Sequence, residues 1–99
     1  MNRFFEAQGR HWVSAAHRRD AVIDAPALDP RVALELLELA RVAAHTQERR
    51  FAPLSCFMAG VAAERLRAAK PEVDDIAVAA YIQEVRQELE AGARASESP

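Results

Sequence analysis

Three of the five prolines, at positions 30, 53 and 71, cut this chain into stretches of single-helix length. Proline has no backbone donor and a fixed φ, so it suits the first turn of a helix and disrupts the interior. Asp29-Pro30 joins a capping carboxylate to a residue with no N–H to leave unpaired, and it predicts a helix over 30–45. Pro53 predicts another start, with a helix over 53–69 that Lys70-Pro71 ends, because the residue before proline is biased away from helical geometry. Asp74 or Asp75 caps a last helix over 74–91, with Gly92 as its stop. Ahead of these, Asn2 caps a helix over 2–19, and Asp20 to Leu28 reads as an extended connection. Gly9 weakens that first helix by roughly 1 kcal/mol relative to alanine.

Apolar periodicity supports the same division. Phe5, Trp12 and Ala16 share a face of the first helix, and Trp12 is assigned to the core. Val32, Leu36, Leu39 and Val42/Ala43 recur at helical spacing in the second, with Leu34 and Leu37 widening the apolar surface. Leu54, Phe57, Met58, Val61 and Leu66 are expected to form the buried face of the third, and Gly60 to mark a close approach by helix two. Ile76, Ala79/Ala80, Ile82 and Val85/Leu89 track one face of the fourth, with Glu84, Arg86, Glu88 and Glu90 solvated. The expected fold is all-α, a small four-helix bundle-like single domain over 1–92, followed by a disordered tail over 93–99 that has no apolar residue larger than alanine.

With 99 residues there is room for one core. The apolar fraction is 51%, much of it alanine, so each helix contact buries little area, and association with a protein partner or into a homo-oligomer is an expected remedy. Thirteen basic and 15 acidic side chains leave a net charge of −2, without the basic excess of a nucleic-acid binder. The lone cysteine, Cys56, has no partner for an internal disulfide, and the chain opens without a signal-peptide pattern, so the expected location is cytoplasmic. No apolar run reaches the roughly 18 residues that span a bilayer.

The segment from Leu39 to Val61 carries the only constellation with chemical content. His45, Arg49 and Arg50 lie between one helix end and the next helix start at Ala52-Pro53-Leu54-Ser55, where free backbone N–H groups favour anions. His45, Arg49, Arg50 and Ser55 are therefore the candidate ligand- or partner-binding residues. Competing readings are simpler: a histidine in the last helical turn meets the carboxyl end of the dipole, loop arginines are ordinary surface residues, and Ser55 sits in a first turn. Cys56, next to Phe57 and Met58, suits a small buried hydrophobe better than a nucleophile. His11, His17, His45 and Cys56 lack metal-site spacing, and Ser55 lacks a GxSxG setting, so no metal, cofactor or catalytic residue is expected. Phe4 and Phe5 are candidate partner contacts, because one helical face cannot bury both equally.

Leu39, Ala40, Ala44, His45, Arg49, Ala52, Pro53, Leu54, Ser55, Phe57 and Gly60 follow a pattern L-A-x-x-x-A-H-x-x-x-R-x-x-A-P-L-[ST]-x-[FY]-x-x-G. In this the chain resembles a small actinobacterial helical domain of unknown function, found alone or fused to proteins like the guanylyltransferases of molybdenum-cofactor biosynthesis. The resemblance implies a noncatalytic accessory or protein-interaction domain beside molybdenum-cofactor or nucleotide chemistry performed by another polypeptide. The alternative is a module that binds a small anion such as phosphate through the loop between helices two and three.

Overall fold

The computed structural model describes residues 2–97. They form four helices and, among the described residues, no strand: α1 (Arg3–His17), α2 (Pro30–Thr46), α3 (Phe51–Ala69) and α4 (Asp75–Glu97). The chain is all-α, and it divides into two compact units, Met1–Pro30 and Arg31–Pro99.

In the first unit, Asn2 caps α1 as its sequence position demands, its Oδ1 accepting from the Phe4 amide at 2.7 Å. The other end closes with paired turn bonds, Ala21 N to Ala16 O at 3.0 Å and Asp20 N to His17 O at 3.0 Å. This arrangement needs a left-handed residue, and Asp20 supplies it at φ 60°. The chain then returns along α1 as an extended strap. Gly9 is buried beneath that strap, and a Cβ built on it would stand 2.9 Å from the Pro26 carbonyl oxygen. The glycine that looked like a weakness in α1 is thus what lets the strap lie flat. Trp12 is 55% exposed and does not enter a core, contrary to expectation. The strap approaches α1 at Gly9, one turn before the indole, and leaves the ring lining surface grooves with Pro26 and Ile23.

The second unit packs α2, α3 and α4 around Leu39, Ala63, Val78 and Ile82, with Val32, Leu36, Ala59 and Val73 against them. The stripe expected of α2, Val32, Leu36, Leu39 and Val42/Ala43, is buried or half-buried, but Leu34 and Leu37, expected to widen it, are exposed, because no helix of the unit packs on that side. The face expected of α3 is not buried: Leu54, Phe57 and Met58 point outward, while Ala59, Ala62, Ala63 and half-buried Leu66 turn inward. Small side chains let this helix approach its neighbours closely, and the larger ones are left on the opposite side. Gly60 belongs to that outer side, and among the described residues nothing beyond its own helical turns lies within 4 Å of where its Cβ would be, so no close approach by α2 explains it.

Between α3 and α4, the Lys70 amide closes on Leu66 O at 2.8 Å, and Asp74 Oδ1 accepts from the Ala77 amide at 2.9 Å, the cap its position predicts. Arg67 ties the corner by reaching both Glu64 and Asp75. In α4, Ile76, Val85 and Leu89 are exposed, and Val78 with Ile82 supplies the contact. Gly92 is no stop. The helix passes through it to Glu97, because one exposed glycine costs only about 1 kcal/mol and the flanking Ala, Arg, Ser and Glu tolerate helical geometry. The tail expected from residue 93 is therefore helical through Glu97, and its last two residues, 98 and 99, lie outside the described residues.

Candidate functional site

His45 is exposed in the last turn of α2. Near that end the Thr46 hydroxyl donates to Val42 O at 2.7 Å, and the Gln47 amide to Ala43 O at 3.1 Å. Arg49 is exposed, and Arg50 Nε donates to Glu48 Oε1 at 2.8 Å.

The start of α3 lies two residues earlier than the proline implied, at Phe51. Its first amides are already engaged, Phe51 N to Glu48 O at 3.0 Å and Ala52 N to Arg49 O at 3.2 Å, and Pro53 has no donor. A ligand at this loop would meet arginine side chains rather than a ring of free amides. Ser55 faces elsewhere. It is half-buried and lines a groove of about 380 Å³ between α3 and α4, floored by Leu39 and Ile82 and walled by Met58, Tyr81 and Leu89. Of the four residues singled out in the sequence, His45, Arg49 and Arg50 share the α2–α3 connection, and Ser55 belongs to this apolar groove.

Cys56 is half-buried, and its thiol donates to Leu36 O of α2 at 3.6 Å. Burial pushes its pKa up, which keeps the sulfur protonated and a poor nucleophile. His11 and His17 are exposed on α1, and no group of three His, Cys, Asp or Glu is gathered among the described residues.

The densest polar arrangement went unread in the sequence. Arg86 Nη2 meets Glu35 Oε1 across to α2 at 3.2 Å, with only 15% and 13% of the two side chains exposed. Glu90 receives Arg86 at 3.3 Å and Arg41 at 3.4 Å, and Arg41 also holds Glu38 at 2.7 Å. Arg86 and Glu90, expected on a solvated face, instead continue the buried ladder Val78, Ile82 at four-residue steps, and that spacing was the available signal. The hydrogen bond from Arg41, joined by that from Arg86, holds the Glu90 carboxyl below the usual carboxylate range against the opposing effect of burial.

Phe4 and Phe5 are both exposed near the start of α1, their rings edge to face with centroids 5.1 Å apart. Among the described residues no helix is long and apolar enough to cross a membrane.

A family profile described as "Domain of unknown function (DUF6457)" matches residues 6–97. The chain belongs to this family. The match spans both units, from α1 to the described end of α4, and so includes the strap, the loop and the ion-pair network alike. No curated protein and no solved structure matches the chain.

Proposed function

We propose that this DUF6457 chain is a noncatalytic accessory domain that binds a protein partner through α1 and through the α2–α3 connection, in support of molybdenum-cofactor or nucleotide chemistry carried out by that partner. The observation that carries the reading is the exposure of Phe4 and Phe5: two rings packed edge to face at the start of a helix offer apolar area at little entropic cost. The loop supplies a second contact of different character, exposed His45, Arg49 and Arg50, suited to acidic groups on the partner. The noncatalytic part rests on the protonated, inward-facing Cys56 and on Ser55 in an apolar groove. The molybdenum-cofactor link rests on the resemblance around His45 to Gly60.

Affinity purification from the native host, followed by mass spectrometry, tests the reading. A single protein of cofactor or nucleotide metabolism is expected, retained less by Phe4→Ala/Phe5→Ala and by Arg49→Ala/Arg50→Ala chains of unchanged helicity. Equal retention by both double variants would refute the assigned surfaces.

A further inference from the structure

The outer face of α3 carries Leu54, Phe57, Met58 and Val61 at helical spacing, and the first three are 61%, 72% and 72% exposed. Among these residues lies Gly60, at an exposed mid-helix position where glycine costs about 1 kcal/mol against alanine. Among the described residues, nothing beyond the adjoining turns of α3 itself comes within 4 Å of its missing side chain. Around it runs an open groove along the helix, lined by Phe57, Gly60, Val61, Glu64, Arg65 and Ala68. A helix thus presents a large aromatic knob and, one turn further on, a glycine hole.

We propose that this face pairs with the same face of a second copy, the two α3 helices running antiparallel about a two-fold axis so that Phe57 of each enters the groove at Gly60 of the other. An isologous interface must be complementary to itself, and this one is, in shape and in charge. Phe57 and Gly60 are neighbours on one side of the stripe, and a two-fold axis perpendicular to the helices keeps them on a common side while reversing their order. Arg49 and Glu48 lie at one end of the stripe, Glu64 and Arg65 at the other. Antiparallel pairing brings Arg49 towards the partner's Glu64, and Arg65 towards the partner's Glu48. Parallel pairing would set arginine beside arginine. Within the chain, Glu48 holds Arg50 at 2.8 Å and Glu64 holds Arg67 at 3.4 Å, whereas neither Arg49 nor Arg65 has a salt-bridge partner among the described residues, so in the pair each carboxylate is shared between two arginines.

Leu54, Phe57 and Met58 together offer on the order of 400 Å² per copy, and with the groove walls and arginine stems the two copies bury about 1,200 Å², the lower edge of specific interfaces. An interface at that edge belongs with weak, transient association. It involves α3 and the preceding connection of the second unit, shares Arg49 with the surface proposed above for a protein partner, and is independent of capture through Phe4 and Phe5.

Sedimentation equilibrium of the full chain from about 1 to 500 μM is the test. The mass is expected to rise from 10.9 kDa towards twice that value. Phe57→Glu and Gly60→Leu should each weaken association at least tenfold. Both should keep the wild-type circular dichroism at low concentration, since neither position touches the core. Arg49→Glu should weaken it too, and adding Glu64→Arg should restore it. A wild type that stays monomeric throughout, or a dimer indifferent to Phe57→Glu and Gly60→Leu, overturns the proposal.

Discussion

Replacing glycine by alanine at positions 9 and 60 should move stability in opposite directions, although both residues lie inside helices. At either position alanine gains about 1 kcal/mol of helix propensity. At Gly60 nothing opposes the gain, because the space around the new methyl group is empty. At Gly9 the methyl group would stand 2.9 Å from the Pro26 carbonyl oxygen, with the Ala25 Cβ at 3.8 Å. Backbone cannot swing aside as a side-chain tip can, so the strap must lift by a few tenths of an ångström, at an overpacking cost of about 1–3 kcal/mol. The net expectation is a loss of up to about 2 kcal/mol for Gly9→Ala and a gain of up to about 1 kcal/mol for Gly60→Ala. With a urea slope of ~1 kcal/mol per molar, the two midpoints should separate by about 1–3 M. Trp12 is the chain's one tryptophan and lines the strap grooves, so its fluorescence follows the first unit, while the 222 nm ellipticity is dominated by α2, α3 and α4. Melts at about 1 μM keep association out of the comparison. If Gly9→Ala stabilises the fluorescence transition as Gly60→Ala stabilises the ellipticity transition, the close approach of Pro26 is not what the glycine is for.

Glu90 is held ionised by Arg41 and Arg86. Its folded-state pKa is depressed, so its contribution is present above the ordinary carboxylate value of about 4.3 and is lost as pH falls through the depressed value, where unfolding takes up a proton. Acid titration of thermal melts should show Glu90→Gln less stable than wild type near neutrality and losing less stability between about pH 5 and 3. Cys56 should react with a thiol-specific disulfide reagent at pH 8 at least ten times more slowly when folded than in urea, since burial raises its pKa; equal rates would show an accessible thiolate. Asp20→Gly should stabilise the first unit by up to about 1 kcal/mol in the Trp12 melt, because glycine adopts φ 60° without the Cβ penalty.

What could be read from the sequence was local. Asn2, Pro30 and Asp74 act within a turn of their own positions, and the structure uses each as expected. The stripe from Val32 to Ala43 was legible because its large apolar residues recur at three- and four-residue steps, although Leu34 and Leu37 blurred its edge and remain exposed. On α3 the contrast between faces is weak: alanines line one side and larger apolar residues the other, and hydrophobicity alone chose the bulkier side. The interior preferred the side that fits. The two glycines exchanged roles for a related reason, since which one meets foreign backbone depends on where the strap folds back. For the loop, the order of His45, Arg49 and Arg50 was plain, but the engagement of the Phe51 and Ala52 amides depends on the helix starting before Pro53 rather than at it.

The pairing of Arg86 with Glu35 has a consequence for alignment rather than strength. Alanine-rich helices present nearly uniform surfaces, and α4 could slide by one turn along α2 with little change in apolar burial. Such a slip would leave the Glu35 carboxylate facing Ile82, a buried charge with nothing to answer it, and the penalty falls on the shifted arrangement alone. The arginine therefore works as an index pin: it adds little to the depth of the native minimum but raises its nearest competitor. Replacing both residues, Glu35→Leu with Arg86→Leu, should then leave the melting temperature unchanged or higher while amide NMR signals of α4 broaden or double. Sharp single signals would show that the small side chains set the register unaided.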